Sequence, residues 1–456
     1  MICFSKMLDM KKITYAVGCV LAITLSAKAQ TTMKYTLDDC INEAVANNMK
    51  LRNADNQVLM SSEQRKEAYT QYFPTVNASG TGFAANQHLL KMGMGNMSLS
   101  LIKKGVMADV MVMQPLYAGG QIVNGNKLAK VGEEVSRLQR KTTVDEVKLN
   151  TETYFWQIVM LKEKLKTIDQ VMVQVEYTQK DAEAAVQAGV RNRNDLLQVK
   201  LRRNEMRTSR IELENNLHVL TDLLAQYMGH AQDSIVVISP FEDIERERGN
   251  DIPTVGADIA LRTSLKKAEI PTQFYISPSS ALLQTNEYQL LRKQVDVQKL
   301  QYKMSVGKNM PSVAIGGGYI YNNLMDKSSN RLVGMLTVSV PISQWWGGSH
   351  SMKRQKLKAQ NAENDLQDQS QLLVIRMKKA WNGMNDAYKQ VNIALESIEQ
   401  SEENLRLNTD YYKAGTATIS DLLDAQTLYQ QSHDKYVEAF TQYEVKKREY
   451  LQATGR

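Results

Sequence analysis

Metal ligation or nucleophilic catalysis in this chain would have to be built from five histidines, three cysteines and scattered acidic residues. His88, His218, His230, His350 and His433 show no ligand spacing of the H-E-x-x-H kind, so each reads as a solvated surface residue. No Ser, His and Asp fall into a recognisable hydrolase constellation, and Gly316-Gly317-Gly318 is not followed by the Lys-Ser/Thr of a phosphate loop. With alternating flanks, those glycines read as a thinned strand. Met92, Met94, Met97, Met107, Met111 and Met113 cluster in a way that suits soft ions such as Cu(I) or, in the preferred reading, adaptable apolar filler. Asp421 and Asp424 are three apart and share one helix face, where paired carboxylates attract cations and repel each other. Thr418-x-x-Asp421 also has the form of a capping box, and Asp195 follows Asn192 at the same spacing, so both acids have a structural reading as helix starts. These residues predict no enzyme, no cofactor and no metal centre.

Lys11-Lys12, the apolar run 13–27 and Ala27-Lys28-Ala29 have the charge, length and small-residue pattern of a secretory leader over residues 1–29, with the mature chain starting at Gln30. Ala16-Val17-Gly18-Cys19 offers a lipoprotein site as the alternative. Loss of the leader removes Cys3 and Cys19 and leaves Cys40 alone, which precludes an intramolecular disulfide and a cysteine metal site. It also removes four lysines and one aspartate, 3 of the +7 charges, leaving +4. That is too little and too dispersed for nucleic acid. Beyond the leader there is no apolar stretch of the roughly 18 residues a spanning helix needs, so entry into a membrane requires closed β-strands. A chain with 43% hydrophobic and 23% charged residues and only 8 prolines favours long, water-facing helices.

An internal repeat supplies the elements that position these residues. Residues 188–229 align without a gap on 414–455 at an offset of 226, pairing Ala188-Gly189 with Ala414-Gly415, Asp195-Leu196-Leu197 with Asp421-Leu422-Leu423, and Gly229 with Gly455. Pro115 pairs with Pro341 at the same offset, each soon followed by a double glycine, and Phe73-Pro74-Thr75-Val76 resembles Met310-Pro311-Ser312-Val313. The interval between prolines is 11 residues longer in the first half, a difference that a hairpin loop between two strands absorbs. Each half reads as helix, strand, hairpin, strand, very long helix, Gly-containing turn, helix. The strands are expected at about 73–83, 107–116, 311–322 and 332–342. Tyr154, Ile158, Leu161, Leu165, Ile168, Met172 and Val175 step by 4 and 3, as do Trp381, Met384, Tyr388, Val391, Leu395 and Ile398, with Leu405 following after a break at Glu402. That 3.5-residue period predicts coiled-coil-like packing. Residues 120–188 would span about 100 Å as helix. Residues 231–280, with four of the prolines and a charge run at 242–248, read as a compact side module. The domains are therefore expected as a leader at 1–29, a first structural repeat at 30–230, the connecting module at 231–280 and a second repeat at 281–456. Gln71, Asn77 and Gln87 are candidates for a lumen face, but the sequence leaves open which strand face points inward.

With Tyr35-Thr36-Leu37, Ala44 and Asn47 near the start, the Pro-to-Gly-Gly strand exits and above all the stretch from Tyr412-Lys413-Ala414-Gly415 through Asp421-Leu422-Leu423-Asp424-Ala425, the chain resembles the TolC family of outer-membrane efflux proteins over essentially its mature length. The resemblance implies a mainly α fold with a β-barrel part. Three copies of the chain would form a long α-helical barrel in the periplasm, continuous with a 12-stranded transmembrane β-barrel in outer-membrane lipid to which each copy contributes four strands. The partners implied are a periplasmic adaptor and an inner-membrane pump. Strand number agrees, since four strands are too few to enclose a wet lumen and several copies must close it. A periplasmic adaptor would carry one hairpin between lipoyl-like halves, whereas two hairpins are expected here. The duct reading covers small toxic molecules, with protein secretion as the alternative cargo.

The resemblance also places Gly189 and Gly415 at the hairpin tips farthest from the membrane, where the narrowest point of the tunnel and the adaptor contact are expected. Tyr412 matches a tyrosine of the family's closing network, while the family's gate arginine corresponds to Ala417 here. The repeat offset puts Arg191 at the equivalent point of the first hairpin, so Arg191 is the expected substitute cation. In a trimer Asp421 and Asp424 would set six carboxylates around the axis and raise one another's pKa. Tyr117, Trp345 and Trp346 at the strand exits read as an aromatic belt at the membrane surface, or as packing against the side module.

Overall fold

The computed structural model describes residues 33–87, 90–94, 97–101, 103–230, 235–241, 266–324, 327–342 and 344–456. The leader with its cleavage point after Ala29, Cys3, Cys19, His88 and the charge run at 242–248 lie outside the described residues, as do the side chains of Met92, Met94 and Met97. In chain order the elements are β1 (Met33–Tyr35), α1 (Leu37–Asn47), α2 (Met49–Thr70), β2 (Thr75–Ala84), β3 (Leu90–Met94), β4 (Met97–Leu101), β5 (Lys104–Ala118), α3 (Gln121–Gln187), α4 (Arg193–Tyr227), β6 (Ile235–Val237), α5 (Pro278–Leu282), α6 (Asn286–Gly307), β7 (Ser312–Leu324), β8 (Lys327–Ser339), α7 (Gln344–Lys413) and α8 (Ile419–Ala453). Helix dominates. No helix among the described residues is long and apolar enough to cross a membrane.

The 226-residue repeat extends to element boundaries. Helices α4 and α8 are each 35 residues long, with starts and ends both offset by 226. Two compact units emerge in space, and each takes matching stretches from both halves of the sequence. Among the described residues, one comprises 33–49 with those of Val147–Gln273 and Asn382–Glu449; the other comprises those of Lys50–Glu146, Phe274–Trp381 and Tyr450–Arg456.

In the first unit, β1 pairs in parallel with β6, a contact between residues 33–35 and the segment that connects the two repeats, which the sequence pattern does not predict. Thr36 and Asp39 cap α1 reciprocally. The helix then breaks at Asn48, whose side chain donates to the Tyr227 carbonyl at 2.8 Å. The buried stripe of α7 runs Met384, Ala387, Val391, Ala394, Ile398, Ser401 and Leu405. Its 3 and 4 steps keep the expected period, but every second member is small, in place of the larger Tyr388 and Leu395 that the sequence pattern predicts. Small residues let neighbouring helices approach closely, and bulk alone does not reveal them. Val171, Val175, Val199, Leu405, Tyr412, Ile419 and Leu422 belong to one buried cluster in this unit.

In the second unit, four strands form one antiparallel sheet in the order β2-β5-β7-β8, so the strand pairs of the two halves join through β5 and β7. All four expected strands are present. The 11 extra residues of the first half are not a plain loop: β3 and β4 form a hairpin of their own. Cross-strand partners share a face, so the register sorts the side chains. One face carries Val76 and Ala78 of β2, Val106, Val110 and Val112 of β5, Val313, Ile315 and Tyr319 of β7, and Leu332, Leu336 and Val338 of β8. The opposite face carries Thr75, Asn77, Ser79 and Thr81, then Met107, Asp109, Met111 and Met113, then Ser312 and Asn322, and Ser329, Arg331, Met335 and Thr337. Gly316 and Gly318 lie on this second face, and a Cβ at either would fall on the sulfur of Met113 or Met111. Glycine in β7 thus makes room for the methionines of β5.

Candidate functional site

The turns that close the two long hairpins are built alike. Gly189 and Gly415 adopt φ of +73° and +75°, a left-handed conformation that a side chain would strain. After α3, the Val190 N–H donates to the Ala185 carbonyl at 2.9 Å and that of Gly189 to Val186 at 3.1 Å; after α7, Thr416 donates to Tyr411 at 2.9 Å and Gly415 to Tyr412 at 3.1 Å. This is a helix C-cap of the Schellman type, repeated at the offset of 226.

Around these turns, Arg191, Asp195 and Tyr412 come together. The Arg191 guanidinium lies 4.1 Å from the centre of the Tyr412 ring, and its Nη2 donates to the Tyr412 carbonyl at 3.2 Å. Nη1 stands 4.0 Å from Asp195 Oδ2. Stacking of a planar cation on a buried phenol, with a charged bond to the same residue's backbone, ties the first hairpin's turn to the end of α7. Burial raises the Tyr412 pKa, as do Asp195 and Asp181, while Arg191 lowers it. The alternative reading of Asp195 as a capping residue has no side-chain cap bond at the N-cap behind it. Asn192 at the N-cap makes no side-chain cap bond, and Asp195 turns to Arg191 instead.

Asp421 does cap. The Thr418 N–H and hydroxyl donate to Asp421 Oδ2 at 2.9 and 2.6 Å, and the Asp421 N–H returns a bond to Thr418 Oγ1 at 3.2 Å. Within one chain these bonds hold the Asp421 carboxyl below its usual range, opposite in direction to the shift expected of a carboxylate ring. Asp424 is exposed on α8 with Asp421, and neither contacts Arg191 among the described residues.

Two histidines depart from the surface reading. His433 is 1% exposed and lies against Tyr429 with ring centres 4.4 Å apart and the rings tilted by 49°; burial depresses its pKa to about 4. It sits in the seven-residue register that buries Tyr429 and Tyr436, so its helix face, not its polarity, decides its burial. His230 lies 3.1 Å from Glu43 Oε2. Beside His433, burial pushes Asp434 up to about 6, with Lys164 and a bond from Gln430 opposing. No group of three or more His, Cys, Asp or Glu able to hold a metal occurs among the described residues. Trp345 and Trp346 stand in the first turn of α7, both exposed. The Trp345 indole donates to the Asn309 carbonyl at 3.1 Å, and the Tyr117 hydroxyl lies 3.5 Å from the Met310 sulfur.

Sequence reading overlooked the tyrosines of α8. Tyr429, Tyr436, Tyr443 and Tyr450 recur every seven residues and are fully buried. In the first unit, the Tyr436 hydroxyl bonds both the N–H and the carbonyl of Lys266 at 2.8 Å, and Tyr443 donates to the Glu269 carbonyl at 2.6 Å. In the second, Tyr450 accepts from the Ile276 N–H at 3.0 Å. Their spacing was the available signal. A buried phenol needs a partner for its hydroxyl, and here the connector backbone supplies it.

Repeated helical hairpins of 3.5-residue period and a four-stranded sheet with one apolar face bare are the parts that the comparisons must match. Among solved structures, CusC aligns at 14% identity and a TM-score of 0.75, covering 92% of each chain. The Campylobacter jejuni CmeC outer membrane channel aligns at 16% and 0.73, covering 92% of this chain and 85% of that one. The open state of the Neisseria gonorrhoeae MtrE outer membrane channel aligns at 15% and 0.69, covering 92% and 88%. At such identities the likeness establishes the fold. A search of curated protein sequences returned no match. The profile described as "Outer membrane efflux protein" matches residues 40–230 and 278–456, and the chain belongs to that family. It is a TolC-like efflux channel protein of the outer membrane.

Proposed function

We propose that three copies of the chain close a 12-stranded barrel continuous with a helical tunnel. This assembly serves as the passive exit duct of a tripartite system, receiving small toxic molecules from a periplasmic adaptor and an inner-membrane pump. The observation that carries the reading is the sheet: its edges β2 and β8 are unpaired among the described residues, while one face exposes Val76, Val110, Val112, Leu332, Leu336 and Val338. Open strand edges beside lipid leave backbone groups without partners, which closure by further copies cures. Residues 30–230 and 281–456 then serve as two structural repeats, 231–280 as the connecting equatorial module and 1–29 as the leader. Arg191, Asp195 and Tyr412 latch the periplasmic tips at Gly189 and Gly415, with Asp421 and Asp424 lining the entrance. Tyr117, Trp345 and Trp346 anchor at the lipid interface.

Native mass measurement in mild detergent should return a trimer, and monomer alone under non-denaturing conditions refutes the closure. Deleting the gene should raise intracellular accumulation of compounds from a panel of toxic small molecules. Unchanged accumulation with loss of a secreted protein would assign protein export instead.

A further inference from the structure

The four strands of the large sheet contain four charged residues, and two of them, Lys104 and Lys327, are the first residues of β5 and β8. The other two, Asp109 and Arg331, lie within strands. They fall on one cross-strand row: Ser79 pairs with Asp109, Asp109 with Ile320, and Ile320 with Arg331. Partners in a row share a face, and this is the face of Asn77, Thr81 and Asn322, opposite the valines and leucines. An arginine directed at lipid near the bilayer midplane costs about 2–4 kcal/mol, so the two charges and the apolar side chains agree on which face is wet.

The two charges do not cancel locally. Two strand spacings put the Asp109 and Arg331 backbones about 10 Å apart. The Ser79 hydroxyl donates to Asp109 Oδ1, which draws that carboxylate toward β2 and away from β8. Arg331 is exposed and makes no ion pair among the described residues. Resting on the trimeric duct reading, we propose that Asp109 and Arg331 form a charge filter in the barrel lumen, at which the Arg331 guanidiniums receive the carboxylate, sulfonate or phosphate group of a passing anionic solute. With strands tilted by about 40°, threefold symmetry sets three carboxylates at one level and three guanidiniums roughly 6 Å away along the axis. Rings of charged side chains at such a point select permeating ions.

Reversal potentials of the full trimer in planar bilayers under a potassium chloride gradient test this. Arg331→Gln should raise the cation-to-anion permeability ratio at least about threefold, and Asp109→Asn should lower it by a similar factor. A second measurement uses thiol modification in liposomes by a water-soluble anionic reagent, since Cys40 is buried and contributes little background. R331C should react at least about tenfold faster than L332C, which lies on the lipid face. Conduction by the wild type with neither ratio shifted overturns the filter and leaves the duct standing, as does equal labelling of R331C and L332C in a conducting trimer. A wild type that neither trimerises nor conducts overturns both.

Discussion

Replacing Arg191 by alanine removes the contacts that tie the two hairpin turns within one chain. A stacked guanidinium contributes about 0.5–2 kcal/mol. A hydrogen bond from a charged donor adds about 1.5 kcal/mol at the low end of its range, which suits the 3.2 Å bond to the Tyr412 carbonyl. The 4.0 Å approach to Asp195 contributes little at a partly solvated site. Together the latch is worth roughly 2–3 kcal/mol per chain, or a factor of about 30–150 in the ratio of open to closed tips. Single-channel recording should therefore show a much higher open fraction for Arg191→Ala. Arg191→Lys should fall between the two, since lysine keeps the charge but not the planar stack or the fork of donors. If Arg191→Ala forms an intact trimer with the open fraction of the wild type, the latch does not gate the channel. If lysine matched arginine, charge alone would be at work and the stacking argument would be wrong.

Asp421→Ala with Asp424→Ala should weaken block of the channel by divalent cations, read from single-channel current; unaltered block in intact trimers would leave only the capping role of Asp421. His433 and Asp434 should give opposite pH slopes. Between pH 6.5 and about 4 the unfolded chain protonates His433 and the folded one does not, so acidification destabilises. Between pH 6 and about 4 the folded chain protonates Asp434 while the unfolded one stays ionised, so acidification stabilises. Asp434→Asn should thus lose stability relative to wild type as pH falls from 6 to 4.5, and His433→Gln should gain it, each by at most about 1.4 kcal/mol per pH unit in denaturation midpoint analysis. Parallel slopes would show that one of the two groups is solvated. Tyr443→Phe should cost about 1 kcal/mol of stability and speed proteolysis near Glu269 without altering conductance. Unchanged cleavage would mean that the hydroxyl is not what holds the connector.

The elements most legible in the sequence were those governed by local pattern. Proline and double glycine bracketed the strands, the 3.5-residue period marked the long helices, and the offset of 226 carried through to hydrogen bonds at both turns. What escaped depended on partners remote in sequence. Three residues of β1 are too few for any periodicity, and their mate β6 lies some two hundred residues on. Ala387, Ala394 and Ser401 carry no hydrophobic bulk to announce a core position. The polarity of His433 points to the surface, while its helix register decides its burial. For the tips, the offset led to Arg191 beside Tyr412, yet the fate of Asp195 turned on a side-chain rotation that spacing does not encode. The division of the sheet into an apolar and a more polar face became readable only when four strands were placed in register, because glycines and methionines blur the alternation within any single strand.

The phenols of α8 address the connector through its main chain: Tyr436 meets both polar backbone atoms of Lys266, and Tyr443 meets the carbonyl of Glu269. At these two points the connector is held by its backbone path, whatever side chains it carries there. The instructions for routing this segment are thus written in another part of the gene, in a seven-residue cadence of tyrosines. Replacing the side chain of Lys266 or Glu269 leaves these backbone bonds available.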